Sequence, residues 1–485
     1  MADTTFVNGT PVVPDWLNDV NDFVYHSNVG DATGVTYTLP GSGNTRHVSD
    51  VLSEHVSVTD FPGADPTGVS DSSAAFNAAL ASGKAAVFVP EGTYLVDGLN
   101  FPASGKVILF GVSKRSSILK KNGNGDMITI PNGYCELRDL FLDGNAAAGF
   151  TGRGVVYSSA TTPNCEIESC QITNFDSYCV EFAAPTAGSG FTMRKCRVYR
   201  YNQAQYAIKT ANDAGAATPR KFIDCLSSGG NFLDLSGADN TQIIGGAFGG
   251  AVGGTAPFKF DANSNKAIFS GVRFFNGGGS VVIKGRDSVF VGCAIAGSLT
   301  IGGADADNII IDGCVVAGEI VINAGAVRYT VAACQVTVGI TDFAMSQYGW
   351  VDIPLTTYTP TITGSVSDPT LGNGTVTGSY RRHRDTYKVN IEFTFGSTST
   401  VGSGYWKFSL PITRNASAPN RAIGVAHVFC AATGVYSVGA VVCPVSDPGN
   451  VTVYCSQDSA QVGQNHPGAW AAGDRIWLQI DVPIY

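Results

Sequence analysis

The sequence predicts an all-β protein whose central part, residues 56–345, is a right-handed parallel β-helix of about eleven rungs. Short apolar segments recur in this region, each bounded by Gly, Asn, Asp or Ser. The segments align into columns of buried positions, as the stacked strands of a solenoid require. The composition agrees, because 59 of the 485 residues are Gly and only 14% are charged.

The repeat is visible around a small residue taken as position zero in nine segments. Three residues before zero all nine positions are large and apolar, and two residues after zero seven of nine are apolar. Positions zero and plus two share one face of a strand, because successive side chains of a strand alternate. A helical repeat would instead need apolar residues at three- and four-residue spacing. The zero positions are Leu140, Cys170, Cys196, Cys225, Ala247, Val272, Cys293, Cys314 and Cys334, the minus-three column is Leu137, Ile167, Met193, Phe222, Ile244, Phe269, Phe290, Ile311 and Val331, and the plus-two column is Leu142, Ile172, Val198, Ser227, Gly249, Phe274, Ile295, Val316 and Val336.

The twelve cysteines fit this repeat without disulfides or metal. No C-x-x-C pair occurs, and the six histidines are scattered without ligand-like spacing. A free thiol packs as a small buried hydrophobe. We therefore expect packing cysteines, no bound metal and no cofactor.

Charge and hydropathy exclude several classes of partner. A formal net charge of −9 argues against nucleic acid, which requires a basic surface, and against an anionic membrane surface. No run of 18 apolar residues is present, so we expect no membrane insertion. The first ten residues lack a basic start and an apolar run. This predicts synthesis in a cytoplasm without a secretory signal.

Residues 56–119 predict the cap that closes the first rung. Asp71 to Ala81 reads as a short amphipathic helix with Asp71 as N-cap and with Phe76 and Leu80 on its apolar face. The order DFPGADPTG, helix, VFVPEGTY and a second strand resembles the opening of pectate-lyase-like right-handed β-helices, above all bacteriophage tailspikes. Pro62 is inserted relative to that pattern, which changes only the turn.

The regions that flank the solenoid predict different structures. In residues 1–55 the stretch Pro14–Ser27 predicts a short amphipathic helix, and it resembles the virion-attachment start of phage tail proteins. The alternative is a helix that lies on the solenoid. Residues 346–485 alternate as antiparallel strands and are similar to a C-terminal β-sandwich of phage fibres, which serves trimerisation or receptor binding. The basic cluster RRHRD at 381–385 either meets an acidic glycan or, the reading we favour, guards a solvated strand edge.

The resemblance implies a homotrimeric tailspike of the virion that docks on a phage tail or baseplate protein through residues 1–55. It also implies binding of a bacterial surface polysaccharide such as capsule, O-antigen or exopolysaccharide, which many relatives cut. Enzymatic activity stays open, with glycosidic hydrolysis favoured over lyase chemistry. The alternative function is a non-enzymatic receptor-binding fibre that uses the β-helix as a rigid trimeric rod.

The longest spacings of the repeat lie between residues 140 and 225, so we expect any groove there. Hydrolysis needs two carboxylates about 5–9.5 Å apart, which outward acids on neighbouring rungs can supply. Glu168 and Arg194 share one column, so they could equally form a surface ion pair, and Asp143 could belong to a plain turn. The predicted catalytic residues are Glu166, Glu168 and Asp143, the predicted substrate-binding residues are Arg194, Arg197, Tyr199 and Tyr201, and Asp176, Glu181, Asp224 and Asp234 are fallback acids.

Overall fold

The structure is a computed structural model that describes most of the chain from residue 36 onward. The predicted helix Pro14–Ser27 lies outside the described residues. Near the start, Thr36–Thr38 pairs antiparallel with Thr45–His47, and a short helix follows at Val48–Leu52. The described residues are 36–38, 44–52, 54–131, 133–158, 165–183, 190–201, 206–210, 219–227, 231–249, 257–275, 281–344, 349–384, 386–413, 421–431, 433–456 and 459–483.

The central region is a parallel β-solenoid with three strand faces, which confirms the predicted fold class. Each complete rung contributes one strand to each face, and strands pair in parallel with those of the neighbouring rungs. We call the faces sheets 1, 2 and 3 in the order in which the chain visits them. Sheet 1 contains His55–Ser57, Ala86–Val89, Val107–Gly111, Cys135–Arg138, Glu166–Glu168, Thr192–Arg194, Arg220–Ile223, Thr241–Ile244, Ile268–Ser270, Val289–Val291, Ile309–Asp312, Tyr329–Ala332 and the start of Gly349–Tyr358.

Sheets 2 and 3 complete the rungs, and sheet 3 is divided into a seven-stranded and a four-stranded part. Short 3-10 helices lie at Val58–Asp60, Ala146–Ala148 and Gly303–Asp305. Sheet 2 contains Thr67–Asp71, Gly92–Val96, Ser117–Lys121, Phe141–Asp143, Gln171–Thr173, Arg197–Tyr199, Leu226–Ser227, Ala247–Gly249, Arg273–Phe275, Ala294–Ile295, Val315–Val316 and Gln335–Val336. Sheet 3 contains Leu99–Asn100, Ile128–Ile130, Val155–Tyr157, Val180–Phe182, Ile208–Lys209, Leu233–Asp234, Phe258–Lys259, Val281–Ile283, Leu299–Ile301, Glu319–Ile322 and Gly339–Asp342.

A left-handed residue marks the bend between sheets 1 and 2 in nine successive rungs. Its φ is positive each time, for example 52° at Asp139 and 51° at Lys195. One residue in this conformation turns the chain sharply, so the next side chain points back into the core. That next residue is position zero of the repeat. The bend residues are Asp139, Ser169, Lys195, Asp224, Gly245, Gly271, Gly292, Gly313 and Ala333.

The predicted register is wrong by one residue in a single rung. Position zero there is Gly246 rather than Ala247, because Ala247 pairs with Leu226, the residue after Cys225. The buried column therefore continues through Ile243, which is fully buried, while the predicted Ile244 is 40% exposed. Gly246 is required because a Cβ at this position would lie 2.3 Å from the Cys225 carbonyl oxygen. Likewise Phe248, rather than Gly249, occupies the plus-two column.

Aromatic rings and thiols fill the solenoid interior. Neighbouring rungs stack their rings, as in Phe269 and Phe290, whose centroids lie 4.4 Å apart. The cysteines of the zero column are buried or nearly so, and their thiols point at carbonyl oxygens, as Cys196 does toward Ile167 at 3.4 Å. All described cysteines have free thiols. The predicted packing role of the column cysteines is confirmed.

The cap helix covers the first rung as predicted, although its boundary differs. The helix spans Ser73–Leu80, and Phe76 and Leu80 are buried against the solenoid core. The N-cap is Ser72 rather than the predicted Asp71. The Asp71 carboxylate still accepts the backbone N–H of Ser73 at 3.0 Å, so it satisfies a free donor of the first turn from one residue further back.

The C-terminal region is a curled antiparallel sheet that continues from the solenoid. The strand Gly349–Tyr358 begins parallel to Tyr329–Ala332 in the last rung and then pairs antiparallel with Thr375–Arg384. The two parts of the chain therefore share one hydrogen-bonded strand. In spatial order the sheet contains Gly349–Tyr358, Thr375–Arg384, Thr386–Thr394, Arg475–Pro483, Arg421–Cys430, Val435–Cys443, Asn450–Cys455, Trp406–Ser409 and Ile362–Gly364.

The basic cluster that begins at Arg381 is not a solvated strand edge, which corrects the interpretation favoured above. The strand Thr375–Arg384 pairs on both sides, so the cluster lies inside the sheet. Arg382 points inward and is fully buried with Asp342, to which its guanidinium donates a hydrogen bond. The Tyr329 hydroxyl donates to the same carboxylate at 2.7 Å. This triad joins the end of the solenoid to the C-terminal sheet.

We predict that Arg382→Met lowers the free energy of unfolding by about 3–5 kcal/mol, because the buried Asp342 carboxylate loses its counterion. The matched control is Arg328→Met, which breaks the ion pair with Asp307, where the arginine side chain is 57% exposed. An exposed pair contributes about 0–1 kcal/mol, so the control should unfold close to wild type. Urea and thermal unfolding of both variants measure the difference, and equal losses would contradict a structural role for the triad.

Candidate functional site

Charged side chains cover the outward face of sheet 1 in three neighbouring rungs. Glu136 lies in register with Glu166, while Arg138, Glu168 and Arg194 form the adjacent column. Period-two alternation places both columns outward, since the intervening Leu137 and Ile167 are buried in the core. We call this surface the rung cluster and include in it Lys106, whose ammonium lies 3.0 Å from the Glu136 carboxylate.

The predicted acids Glu166 and Glu168 differ in how far they are neutralised. Arg194 donates to the Glu166 carboxylate at 2.6 Å, whereas the nearest cation to Glu168 is Arg138 at 4.0 Å. The predicted surface pair between Glu168 and Arg194 is therefore replaced by one between Glu166 and Arg194. Glu168 keeps 34% of its side chain exposed. Of the two, Glu168 is the carboxylate available to a ligand.

Asp139 adds a second carboxyl group next to Glu168. It occupies the left-handed bend, and its backbone N–H donates to the Glu168 carbonyl at 3.1 Å on the next rung. Burial and the negative charge of Glu168 raise the pKa of Asp139, against the opposing charges of Lys114 and Arg138. Lys114 reaches across the bend to donate to the Lys195 carbonyl at 3.2 Å. Two neighbouring carboxyls in unlike environments are the arrangement that acid–base catalysis uses.

The bend separates Asp139 and Glu168 from the predicted residues on sheet 2 and beyond it, which are Asp143, Arg197, Tyr199 and Tyr201. Asp143 follows on sheet 2 in register with Tyr199, and Arg197 lies on the same sheet. The Asp143 carboxylate accepts the Asn145 backbone N–H and the Asn174 side-chain N–H, each at 3.0 Å, which is the role of a turn residue. Arg197 lies 5.4 Å from the centre of the Tyr199 ring. Tyr201 is 55% exposed beyond the end of its strand.

Sheet 3 carries a second charged cluster in the same rungs. Arg153 binds Asp126 through two hydrogen bonds of 2.7 and 2.6 Å and donates to Glu181 at 2.8 Å. Lys209 lies 3.2 Å from the other Glu181 oxygen. Glu181 is buried and held by two cations, so this fallback acid is a structural ion-pair partner rather than a free base.

The remaining fallback acids also have structural partners or positions. Asp234 pairs with Lys259 at 3.1 Å. Asp224 is the left-handed residue of its bend, with φ of 51°. The carbonyl oxygen of Asp176 accepts a hydrogen bond from the Arg200 guanidinium. None of these observations favours catalysis at the three positions.

Sequence reasoning missed Lys106, Glu136, Arg138 and Asp139. The signal that could have found three of them is the repeat itself, because Glu136 and Arg138 stand in the columns of Glu166 and Glu168 one rung earlier. Asp139 stands where Ser169 and Lys195 stand in the next rungs. The proximity of Lys106 depends on the preceding rung, whose spacing does not follow the repeat.

The described residues offer neither a cluster of metal ligands nor a membrane-spanning helix. They contain no group of three or more His, Cys, Asp or Glu side chains arranged to hold a metal ion. Their helices are all too short or too polar to cross a bilayer.

Comparisons with known proteins agree with this geometry. Residues 55–305 match the sequence model of the family described as rhamnogalacturonase A/epimerase, pectate lyase-like. No curated protein sequence matches the chain. The solved Dettilon tailspike protein matches with a TM-score of 0.50 and 13% identity over 96% of this chain and 100% of that chain, which shows a shared fold. The A-module of the Azotobacter vinelandii mannuronan C-5 epimerase AlgE4 has a TM-score of 0.47 and 16% identity over 61% of this chain and 99% of that chain.

We predict that Asp139→Asn gains stability relative to wild type as the pH rises. The folded state raises the pKa of Asp139 above its ordinary value of 3.8, so the wild-type group stabilises the fold at low pH and that contribution is lost as pH rises through the folded pKa. Asparagine tolerates the left-handed backbone, so the change adds no strain. Unfolding midpoints measured between pH 3 and pH 7 test this, and a flat difference would contradict it. In the Glu168→Gln background the trend should shrink, because one cause of the shift is removed.

Proposed function

Because the chain belongs to the rhamnogalacturonase A/epimerase, pectate lyase-like family, we propose that it is a phage tailspike that binds a bacterial surface polysaccharide and cleaves it during host adsorption. The observation that carries the proposal is the pair of carboxyl groups Asp139 and Glu168 on neighbouring rungs, surrounded by cations. The coverage of the Dettilon tailspike from end to end supports the tailspike assignment. The location in the virion and docking through residues 1–55 belong to the same proposal.

Asp139 and Glu168 divide the roles of a glycosidase. Asp139 has the raised pKa that a general acid needs, so it protonates the glycosidic oxygen that leaves. Glu168 acts on the opposite side as base or nucleophile. Neighbouring rungs are about 4.8 Å apart, so carboxyls that project from them can lie within the range of about 5–9.5 Å that glycosidases use. Glu166 holds Arg194 in position through their 2.6 Å contact.

The cations around the pair define the class of polysaccharide. Lys114, Arg138 and Arg194 border the carboxyls, so an acidic sugar is bound with its own carboxylate against these groups. Arg197, Tyr199 and Tyr201 lie past the bend, where the tyrosine rings offer stacking faces to the next sugar units. The substrate is an acidic capsule, O-antigen or exopolysaccharide.

One observation favours the alternative, a receptor-binding fibre without catalysis. Most acids of the rung cluster are paired, Glu136 with Lys106 and Arg138, and Glu166 with Arg194. A largely paired surface of this kind can bind a charged glycan and leave it intact. The rung cluster would then be the receptor site of a rigid rod.

The homotrimer is part of the proposal and is supported by an apolar edge along the bend. In several later rungs a residue beside the bend is exposed and apolar, with Ile244 at 40%, Val291 at 40%, Leu226 at 47% and Val315 at 50% exposure, although the exposed Arg273 and Asp312 interrupt the two columns. Ile244 and Val291 continue the column of Glu168 and Arg194, whereas Leu226 and Val315 lie in the column of Arg197 on sheet 2. Such an edge is a suitable contact between copies of the chain.

We predict that Glu168→Gln and Asp139→Asn each reduce cleavage of the host polysaccharide by about 10²-fold or more, because each removes one carboxyl of the pair. Chain length of purified host polysaccharide after incubation measures the loss. The matched control is Glu91→Gln, which neutralises an exposed carboxylate outside the cluster and should cleave normally. The kcat/KM of wild type should fall as pH rises above the pKa of Asp139, because the acid must carry its proton.

An intact polymer after incubation with wild type, across polysaccharides that include the true receptor, would refute cleavage. Retained binding in that experiment would support the fibre alternative. If both variants cut normally, the catalytic assignment is wrong whatever the substrate.

We predict that the protein is a homotrimer in solution, with a mass three times that of one chain. The double variant Ile244→Glu/Val291→Glu should not form the trimer, because it places two charges in the apolar edge. Light scattering at micromolar concentration measures the mass. The control is Val338→Glu, whose side chain is 70% exposed in a turn away from the bend. A wild-type monomer would contradict the trimer, and an unchanged mass in the double variant would exclude this edge as the contact.

A further inference from the structure

A cleft of about 690 Å³ lies where the last rung meets the C-terminal sheet. Cys334 borders it on the solenoid side, and Asp352 and Leu355 border it on the shared strand. Arg381, His383 and Lys388 form its basic side. The cleft is far along the chain from the rung cluster and shares no residue with it.

The cleft continues across the outward face of the C-terminal sheet. A second depression of about 520 Å³ shares Leu355, Arg381 and Lys388 with the cleft and reaches Gln479. A third, of about 350 Å³, shares Asn390 and Gln479 with the second and ends at Trp477. We call the three together the sheet groove. Its length of several strands suits an extended chain rather than a single small molecule.

Strand alternation explains why these side chains face the groove. Inward Arg382 leaves its neighbours Arg381 and His383 outward, and buried Val389 does the same for Lys388 and Asn390. The register then aligns Arg381 with Lys388, Asn390 with Gln479, and Glu392 with Trp477 across neighbouring strands. The groove therefore passes from cations through amides to an aromatic ring.

The two cations at the basic end, Arg381 and Lys388, form no ion pair among the described residues. Arg381 and Lys388 lie directly opposite each other, an arrangement of like charges that destabilises a sheet unless an anion is present. Asp481 lies directly opposite Lys388 on the other side and lines the second depression, so one carboxylate borders the two cations without forming an ion pair with either. The neighbouring His383 is already bonded to Asp352 at 3.1 Å, and Glu392 lies at the far end beside Trp477.

We propose that the sheet groove is a second glycan site, which binds an oligosaccharide that carries carboxylate or phosphate groups. Arg381 and Lys388 bind the anionic group, and the Asn390 and Gln479 amides bond to sugar hydroxyls. The Trp477 ring, which is half-buried and stacks on Tyr436 with 6.5 Å between ring centres, supplies a flat face for a sugar. The proposal does not depend on catalysis at Asp139 and Glu168.

The test uses the full chain with Glu168→Gln, so that no probe is cleaved at the solenoid. The probes are hexagalacturonate, its fully methyl-esterified form and inorganic phosphate, titrated by calorimetry at low salt. We expect the acid hexamer to bind, the ester to bind at least about tenfold more weakly, and affinity to fall as salt rises. Phosphate should bind far more weakly than the hexamer, since it reaches only the cation pair.

Variants assign the binding to the groove. Arg381→Gln/Lys388→Gln should weaken hexamer binding at least about tenfold, whereas the control Lys284→Gln/Arg286→Gln, which removes two exposed charges from the solenoid, should not. Trp477→Ala should weaken the hexamer but not phosphate. Unfolding curves for every variant separate lost binding from lost folding.

Four results would overturn the proposal. Equal binding of acid and ester would exclude charge recognition, and phosphate as tight as the hexamer would leave an anion site only. Unchanged binding in Arg381→Gln/Lys388→Gln would place the glycan elsewhere. A change in solution mass in that variant, without glycan binding by wild type, would show that a second copy covers the groove.

Discussion

Most of the solenoid depends on one backbone constraint, the left-handed residue between sheets 1 and 2. In nine successive rungs it turns the chain at the same place, so position zero always points inward and the strands on either side keep their alternation. The thiols of the zero column then lie under the carbonyls of the preceding rung, as Cys225 does beneath Met193 at 3.6 Å. A slip at the bend would move every side chain of a rung to the opposite face. The rung cluster is outward because this constraint holds the inward residues in place.

The same constraint explains which features of the fold can be predicted from the sequence alone. Columns of apolar residues predict the solenoid, because burial imposes the same requirement in each rung. The columns give the wrong register at Ile243 and Gly246. Two consecutive glycines there leave the position of the bend ambiguous in the sequence, and the steric clash that a Cβ at Gly246 would make with the backbone determines the register. The columns also do not predict which charged side chains form ion pairs. Glu166 and Glu168 are equivalent in the sequence, yet Arg194 extends to one and leaves the other, because the choice depends on side-chain direction rather than register.

Charge pairing separates structural acids from those that can act on a ligand. The protein is acidic overall, with a net charge of −9, yet most acids near the rung cluster and on sheet 3 are matched by a cation on the next rung. Glu181 and Lys209 pair within one column, whereas Glu166 pairs with Arg194 of the adjacent column. Asp139 differs because burial, and after it the negative charge of Glu168, raises its pKa. An unmatched carboxyl in a paired surface is a better indication of chemistry than the number of acids.

The C-terminal sheet is positioned by a buried charge in the same way that the rungs are positioned by buried apolar columns. Arg382 must remain paired with Asp342 and Tyr329, since a buried guanidinium without its carboxylate is strongly destabilising. Once Arg382 is inward, alternation forces Arg381 and His383 outward, and the shared strand from Gly349 to Tyr358 fixes them relative to the last rung. The cationic end of the sheet groove is therefore held by the core of the protein. A site built on such a rigid junction can bind an extended chain at a constant position relative to the solenoid.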